Sequence, residues 1–229
     1  MLQAGLSKIS TCVYSPTKGA VSRKFMENMV SPGSVRPLMA PHELQEGIAT
    51  LSRGAYFKEA SLDMMLSILT ESAATMSGVE RVSIWALNSR QQELLCLDLF
   101  ELSARRHSKD QIIHASRYPV YFQALRAGSS ISADDAYIHP LTADFAVDYL
   151  PAHGVTAMLD TPIHIRGELQ GVLCLEQVGT RQPWTSAHGL FAQAVANLVT
   201  LALVEYEAEE AKLQARAAGE RLRAVCGAA

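Results

Sequence analysis

The sequence predicts an α+β domain, a mostly antiparallel sheet with helices on both faces. Three observations lead there. Apolar residues at 62, 65, 66, 69, 73 and 76 fall on one helical stripe. Alternation of period two begins at Val82, and the later runs IHI and VLCLE, joined across RGELQG, are too close for a parallel crossover. One long helical pattern then runs from about Trp184 to Val225.

Each element follows in order. Residues 1–42 carry Pro16, Pro32, Pro37 and Pro41 among scattered Gly and Ser and read as a mostly irregular leader, with a short helical turn at SRKFMENMV. From Pro41 to Ser77 the pattern is helical, and Gly78 stops it. RVSIWALN sets Val82, Ile84 and Ala86 against Arg81, Ser83 and Trp85; after a turn at Asn88, Ser89 and Arg90, ELLCLDLFEL returns as its hairpin partner. ARRHSKD reads as a polar loop, QIIHA as a short strand, YPVYFQALRAG as a helix stopped by Gly128, and SSISADDA as a strand entering a turn. HPLTADFAVDYLPAHG holds a second short helix, capped by Thr142 and ended by Pro151 or Gly154. VTAMLDTPIHI and GELQGVLCLEQ are strands, and the last helix starts at Thr185 or Ser186.

Composition bounds the function. An apolar share of 48% with 19% charged residues suits a packed core, not a disordered chain. A net charge of −3 is too mild to make nucleic acid or anionic lipid the main partner. The charge is uneven: Lys8, Lys18, Arg23, Lys24 and Arg36 against Glu27 give residues 1–40 a net of +4, leaving −7 for the rest. No stretch reads as a membrane span, and the basic, acid-poor N-terminus lacks the apolar run of a secretory signal. Cys12, Cys96, Cys174 and Cys226 form no CxxC pair, which favours buried thiols in a reducing, cytoplasmic setting over disulfides or a metal site.

The hairpin around RGELQG decides between reactive site and structural core. In VLCLE, Val172, Cys174 and Glu176 share one face, and Leu173, Leu175 and Gln177 share the other. Both faces are largely apolar, so the strand is central and Cys174 is a small buried hydrophobe without a neighbouring Lys or Arg to activate it.

RVSIWALN, ELLCLDLFE, YFQALRAGSSISADDA, HGVTAMLDTPIHIRGELQGVLCLEQVG and PWTSAHGLFAQAVANLVTLAL together resemble a GAF domain over roughly residues 55–205, of the kind found in bacterial sensor histidine kinases and diguanylate cyclases. The resemblance implies a six-stranded antiparallel sheet, terminal helices over one face, and a ligand pocket under short helices and loops on the other. It divides the chain into a leader over 1–42, a sensor domain over 43–204 and a signalling helix over 205–229.

The pocket candidates are Tyr118, Tyr121, Phe122, Phe145 and Tyr149 on the two short helices, with His139, Met158 and Asp160. The aromatics can wall an apolar pocket or simply pack the helices onto the sheet. Asp160 stands out inside an apolar strand, where a buried carboxylate needs a partner, either a ligand or a structural donor. A GAF-fold methionine sulfoxide reductase needs cysteines in the loops over the pocket, and loops 103–119 and 128–156 have none. A covalent bilin needs a pocket cysteine, in phytochrome relatives often followed by His, and no Cys-His pair occurs. The cyclic-GMP-binding signature is not evident. Haem ligation is left to His107, His114, His139 and His153.

The last helix carries two sets of residues spaced by seven: Leu201, Ala208, Ala215 and Leu222, and Val204, Ala211, Ala218 and Val225. This a/d stripe predicts a homodimer. The expected function is a non-catalytic signal-input domain without metal or resident cofactor. It binds a small ligand or partner protein and drives an effector, such as a kinase or cyclase domain in cis or trans, through the dimeric helix. The alternatives are a redox enzyme of the same fold, acting on a small molecule such as free methionine sulfoxide, and a ligand-free dimerisation scaffold.

Overall fold

The computed structural model describes residues 40–52 and 60–226. Nearly all of the 1–42 leader, with its SRKFMENMV turn, lies outside these, as do the side chains of Leu222 and Val225. The helical stretch expected from Pro41 to Ser77 comprises α1 (Pro41–Ser52) and α2 (Leu62–Ser77). Ser61 caps α2 by accepting from the Met64 amide, and Gly78 ends it with a left-handed φ of 73°.

A sheet follows, built from β1 (Arg81–Leu87), β2 (Glu93–Glu101), β3 (Arg106–Ser108), β4 (Ile112–His114), β5 (Ile131–Ala133), β6 (Val155–Ile165) and β7 (Glu168–Val178). Its strand order is β3-β2-β1-β7-β6-β5, with β4 also paired to β2, and all pairings are antiparallel. The six strands implied by the resemblance are therefore seven. The extra one arises because the edge strand is broken at Asp110, whose φ of 69° interrupts the ladder. Its two halves keep one register on β2, Leu99 opposite Ser108 and Leu95 opposite Ile112. The expected polar loop ARRHSKD thus contains β3. Its alternation is invisible because edge residues Arg106 and His107 are polar.

The central hairpin closes in two residues, Arg166 and Gly167, with φ of 54° and 84°. That double positive φ matches the right-handed twist of the strands it joins. Between β4 and β6 lie α3 (Pro119–Arg126), β5, a 3₁₀ turn (Ala143–Val147) and α4 (Tyr149–His153). The single helix expected in HPLTADFAVDYLPAHG is this 3₁₀ turn plus α4. Thr142 does not cap it; its hydroxyl donates to the Ala136 carbonyl instead. Gly154, not Pro151, ends α4.

α5 (Ser186–Cys226) closes the fold. Phe191, Ala192, Val195, Ala196, Val199, Ala202 and Leu203 are buried in one core with α1, α2 and the sheet residues Val82, Ile84, Leu159, Ile163, Leu173 and Leu175. Each large apolar side chain so buried contributes about 1.5–3 kcal/mol. Ser186–Glu220 is also long and apolar enough by composition to cross a membrane, contrary to the expectation from sequence. In this fold Phe191, Val195, Val199 and Leu203 of its first half are buried against the sheet and the other terminal helices, while Leu190 and Leu201 are exposed.

A second core lies on the opposite face and contains Trp85, Cys96, Met158, Val172 and Cys174 under α3, the 3₁₀ turn and α4. As expected, Val172 and Cys174 share this face, while Leu173 and Leu175 face the terminal helices.

Candidate functional site

The face covered by α3, the 3₁₀ turn and α4 combines aromatic walls with buried charge. Two lid tyrosines reach the sheet. Tyr121 of α3 donates its phenol to Asp160 Oδ2 at 2.8 Å, and Tyr149 of α4 donates to Glu176 Oε1 at 2.8 Å. Strand pleat places both acceptors. Asp160 lies opposite Cys174, and Met158 opposite Glu176, in the β6–β7 register. Phe145 fills the space between the latches. Its ring stacks on Tyr118 at a centroid distance of 4.2 Å and meets Tyr121 edge-on at 4.8 Å and Tyr149 at 5.4 Å. A cavity of about 10 Å³ remains, lined by Trp85, Leu94, Ile113, Tyr121, Phe145, Tyr149, Met158, Val172, Cys174 and Glu176. That is room for about one water.

Arg81 anchors the other side of Glu176, with Nε at 2.8 Å from Oε2 and Nη1 at 3.2 Å from Glu101. Arg81 and Glu176 are 5% and 1% exposed, so this is a buried ion pair. Arg106 ties Glu101 from outside at 2.6 Å. Among the described residues no cation pairs with Asp160. Burial pushes its carboxyl up to about 7, against the lowering effect of the Tyr121 hydrogen bond. Its second oxygen, Oδ1, is buried without a partner in hydrogen-bonding geometry, as is Arg81 Nη2. Burial also raises the Tyr121 and Tyr149 phenols well above their ordinary value, so both remain proton donors.

The cysteines sit in this core. Cys174 is 4% exposed and 3.9 Å from the Tyr121 hydroxyl. Burial raises its thiol well above the usual range, and that of Cys96 up to about 12. At Cys96 burial and nearby carboxylates outweigh the lowering effect of Arg81, and at Cys174 burial, Asp160 and Glu176 act in the same direction, so neither thiol is activated.

Of the candidates from sequence, Tyr121, Phe145, Tyr149 and Met158 line the cavity. Asp160 stands beside it, since its neighbours Tyr121 and Cys174 both line it. Tyr118 and Phe122 are buried in the lid itself, Tyr118 donating to Asp148 at 2.8 Å and Phe122 lying under the Arg126 guanidinium. His139 does not line the cavity; it is half-buried in the loop before the 3₁₀ turn and accepts from the Leu141 amide. The other three histidines are placed elsewhere too. His107 is held by Asp98 at 3.0 Å and packs on Phe100 of the terminal-helix core, His114 pairs with Glu93, and His153 meets Tyr149 edge-on at 4.8 Å. None of the four lines the cavity, so they do not fit haem ligation there.

Arg81, Trp85 and Glu176 belong to the site and were not among the candidates. The signal was present: Arg81, Ser83 and Trp85 share a face, as do Val172, Cys174 and Glu176. What was missing was the β1–β7 pairing that sets Arg81 opposite Glu176 across 95 residues of sequence.

A sheet with terminal helices on one face and an aromatic, carboxylate-bearing pocket under short helices on the other defines a fold for binding small molecules or signals. Residues 61–203 match the GAF domain model, and the chain belongs to the GAF domain family. None of the curated proteins matches it in sequence. Solved structures share the fold at low identity. The GAF domain of a phosphoenolpyruvate-protein phosphotransferase from Coxiella burnetii is similar with a TM-score of 0.59 and 13% identity, over 76% of this chain and 99% of that one. The phycoerythrobilin-bound GAF domain of a cyanobacterial phytochrome gives 0.60 and 16%, over 73% and 97%. Free methionine-R-sulfoxide reductase from Neisseria meningitidis, in complex with its substrate, gives 0.53 and 15%, over 72% and 89%.

Proposed function

We propose that this chain is a non-catalytic signal-input domain of the kind that feeds a sensor kinase or diguanylate cyclase effector, in cis or in trans. A small ligand or partner engages the lid, and the terminal helices carry the change away. One observation supports this above all: β6 touches both layers. Its Asp160 and Met158 belong to the lid side, while Leu159, Ile163 and Ile165 pack in the core of α5. Thr200 of α5 also donates to the His164 carbonyl at the end of the same strand. Opening the Tyr121 latch therefore loads a strand on which α5 rests.

The output half of α5 supports a homodimer. Leu201 is 44% exposed, Val204 is partly buried against the core, and Ala208, Ala211, Ala215 and Ala218 are exposed along one stripe. Alanine gives that stripe little area to bury, so the association is weak without the preceding bundle. We place the domain in the cytoplasm, where free Cys96 and Cys174 persist. Light scattering on the purified chain should show a dimer, and removal of residues after Glu205 should weaken it. A monomer at tens of micromolar contradicts the signalling-helix reading.

A further inference from the structure

The floor of the pocket holds more acceptors than it can serve. Of the buried charged side chains there, Glu176 lines the cavity, while Arg81 and Asp160 stand directly behind it, bonded to the lining residues Glu176 and Tyr121. The one guanidinium is committed to Glu176 and to Glu101 beside it. Asp160 receives the neutral Tyr121 phenol, which has one proton to give, and beyond it the Cys174 thiol opposite, a weak donor. Asp160 Oδ1 is left unpaired although the residue is 0% exposed. An isolated buried carboxyl oxygen calls for a donor, and a charged donor meets the need best. The adjoining cavity is lined by the rings of Trp85, Tyr121, Phe145 and Tyr149, and aromatic π-faces attract cations.

Building on the signal-input reading, we propose that this pocket takes a small organic cation: a primary amine on an apolar or aromatic body, its ammonium seated on Asp160. An ammonium has three donors, so it can serve the oxygen that Tyr121 leaves unserved. It would displace the phenol, and the body would take the volume Phe145 now fills. The signal and the ligand are thereby linked, because seating the amine means releasing the α3 latch. An anion is the rival suggested by the unpaired Arg81 Nη2. It would lie beside Glu176 and Glu101, both within 3.2 Å of the same guanidinium, and meet like charge.

The test compares butylamine and phenethylamine with the alcohol and the carboxylate of matched chain length. The Trp85 indole N–H signal is followed by NMR on the full chain. Both amines should shift it saturably while their counterparts do not. Asp160→Asn should weaken amine binding by at least about tenfold. Tyr121→Phe, which removes the latch, should strengthen it. Equal responses to an alcohol or carboxylate overturn the amine assignment, as does undiminished binding by Asp160→Asn. A lack of amine response in both wild type and Tyr121→Phe overturns it without any reliance on the Asn variant. None of these outcomes bears on whether α5 responds to the lid, which hydrogen exchange reads separately.

Discussion

Tyr121 donates its phenol to Asp160 across 2.8 Å, joining the first lid helix to a strand that packs against the C-terminal helix on its other face. The bond is buried at both ends, with Tyr121 2% and Asp160 0% exposed. Its proton balance therefore enters folding stability directly. Burial raises Asp160 to about 7 in the native state, from an unfolded value near 3.8. A raised carboxyl binds its proton more tightly when folded, so its contribution is fully present below about pH 3.8 and is lost as pH climbs through about 7.

Asp160→Asn should remove this dependence. Its stability relative to wild type should rise between about pH 4 and 7, at a slope approaching about 1.4 kcal/mol per pH unit. Urea denaturation of both proteins across that range reads it. A constant difference between the two would show that Asp160 does not titrate there.

Phe145 plugs the pocket. Phe145→Ala should cost about 3–5 kcal/mol, the usual range for emptying a buried aromatic site. Thermal and urea unfolding measure it. A loss under about 1 kcal/mol would mean that the lid collapses onto the gap.

Arg81 is the counter-charge for Glu176 and Glu101. Arg81→Met should destabilise by about 3–5 kcal/mol, because the buried Glu176 carboxylate loses its counter-charge and keeps only the neutral Tyr149 donor. Arg81→Met combined with Glu176→Leu should recover part of that loss. A double variant no better than the single one would remove the buried pair from the account.

Gly171 of β7 leaves no room for a side chain beside β1. A Cβ there would run into the Trp85 carbonyl of β1, which is backbone and cannot rotate aside. Gly171→Ala should therefore part β1 from β7 and leave the chain largely insoluble, as read by the soluble fraction on expression. Wild-type yield and unfolding midpoint would refute this.

Much of the fold was legible in the sequence because its signals are local. Gly78, Gly128 and Gly154 end their helices where the pattern stops, and the alternation of VLCLE assigns Cys174 and Leu175 to opposite cores. β3 was hidden because Arg106 and His107 sit on an edge, where polar side chains erase the apolar rhythm. The site was half legible. Asp160 announced itself as a carboxylate among apolar residues, and the lid aromatics as a cluster. Arg81 and Glu176 each look like an ordinary strand end, and only non-local pairing brings them together. His139 shows the converse: a position near the pocket in sequence that the loop turns to its own backbone.

The central claim is that the Tyr121 latch is mechanically connected to α5 through β6. Hydrogen exchange of wild type against Tyr121→Phe tests it most directly. Faster exchange is expected in α3, in β6 around Asp160 and in α5 from Phe191 to Leu203. Acceleration confined to α3, with β6 and α5 unchanged, would contradict the claim.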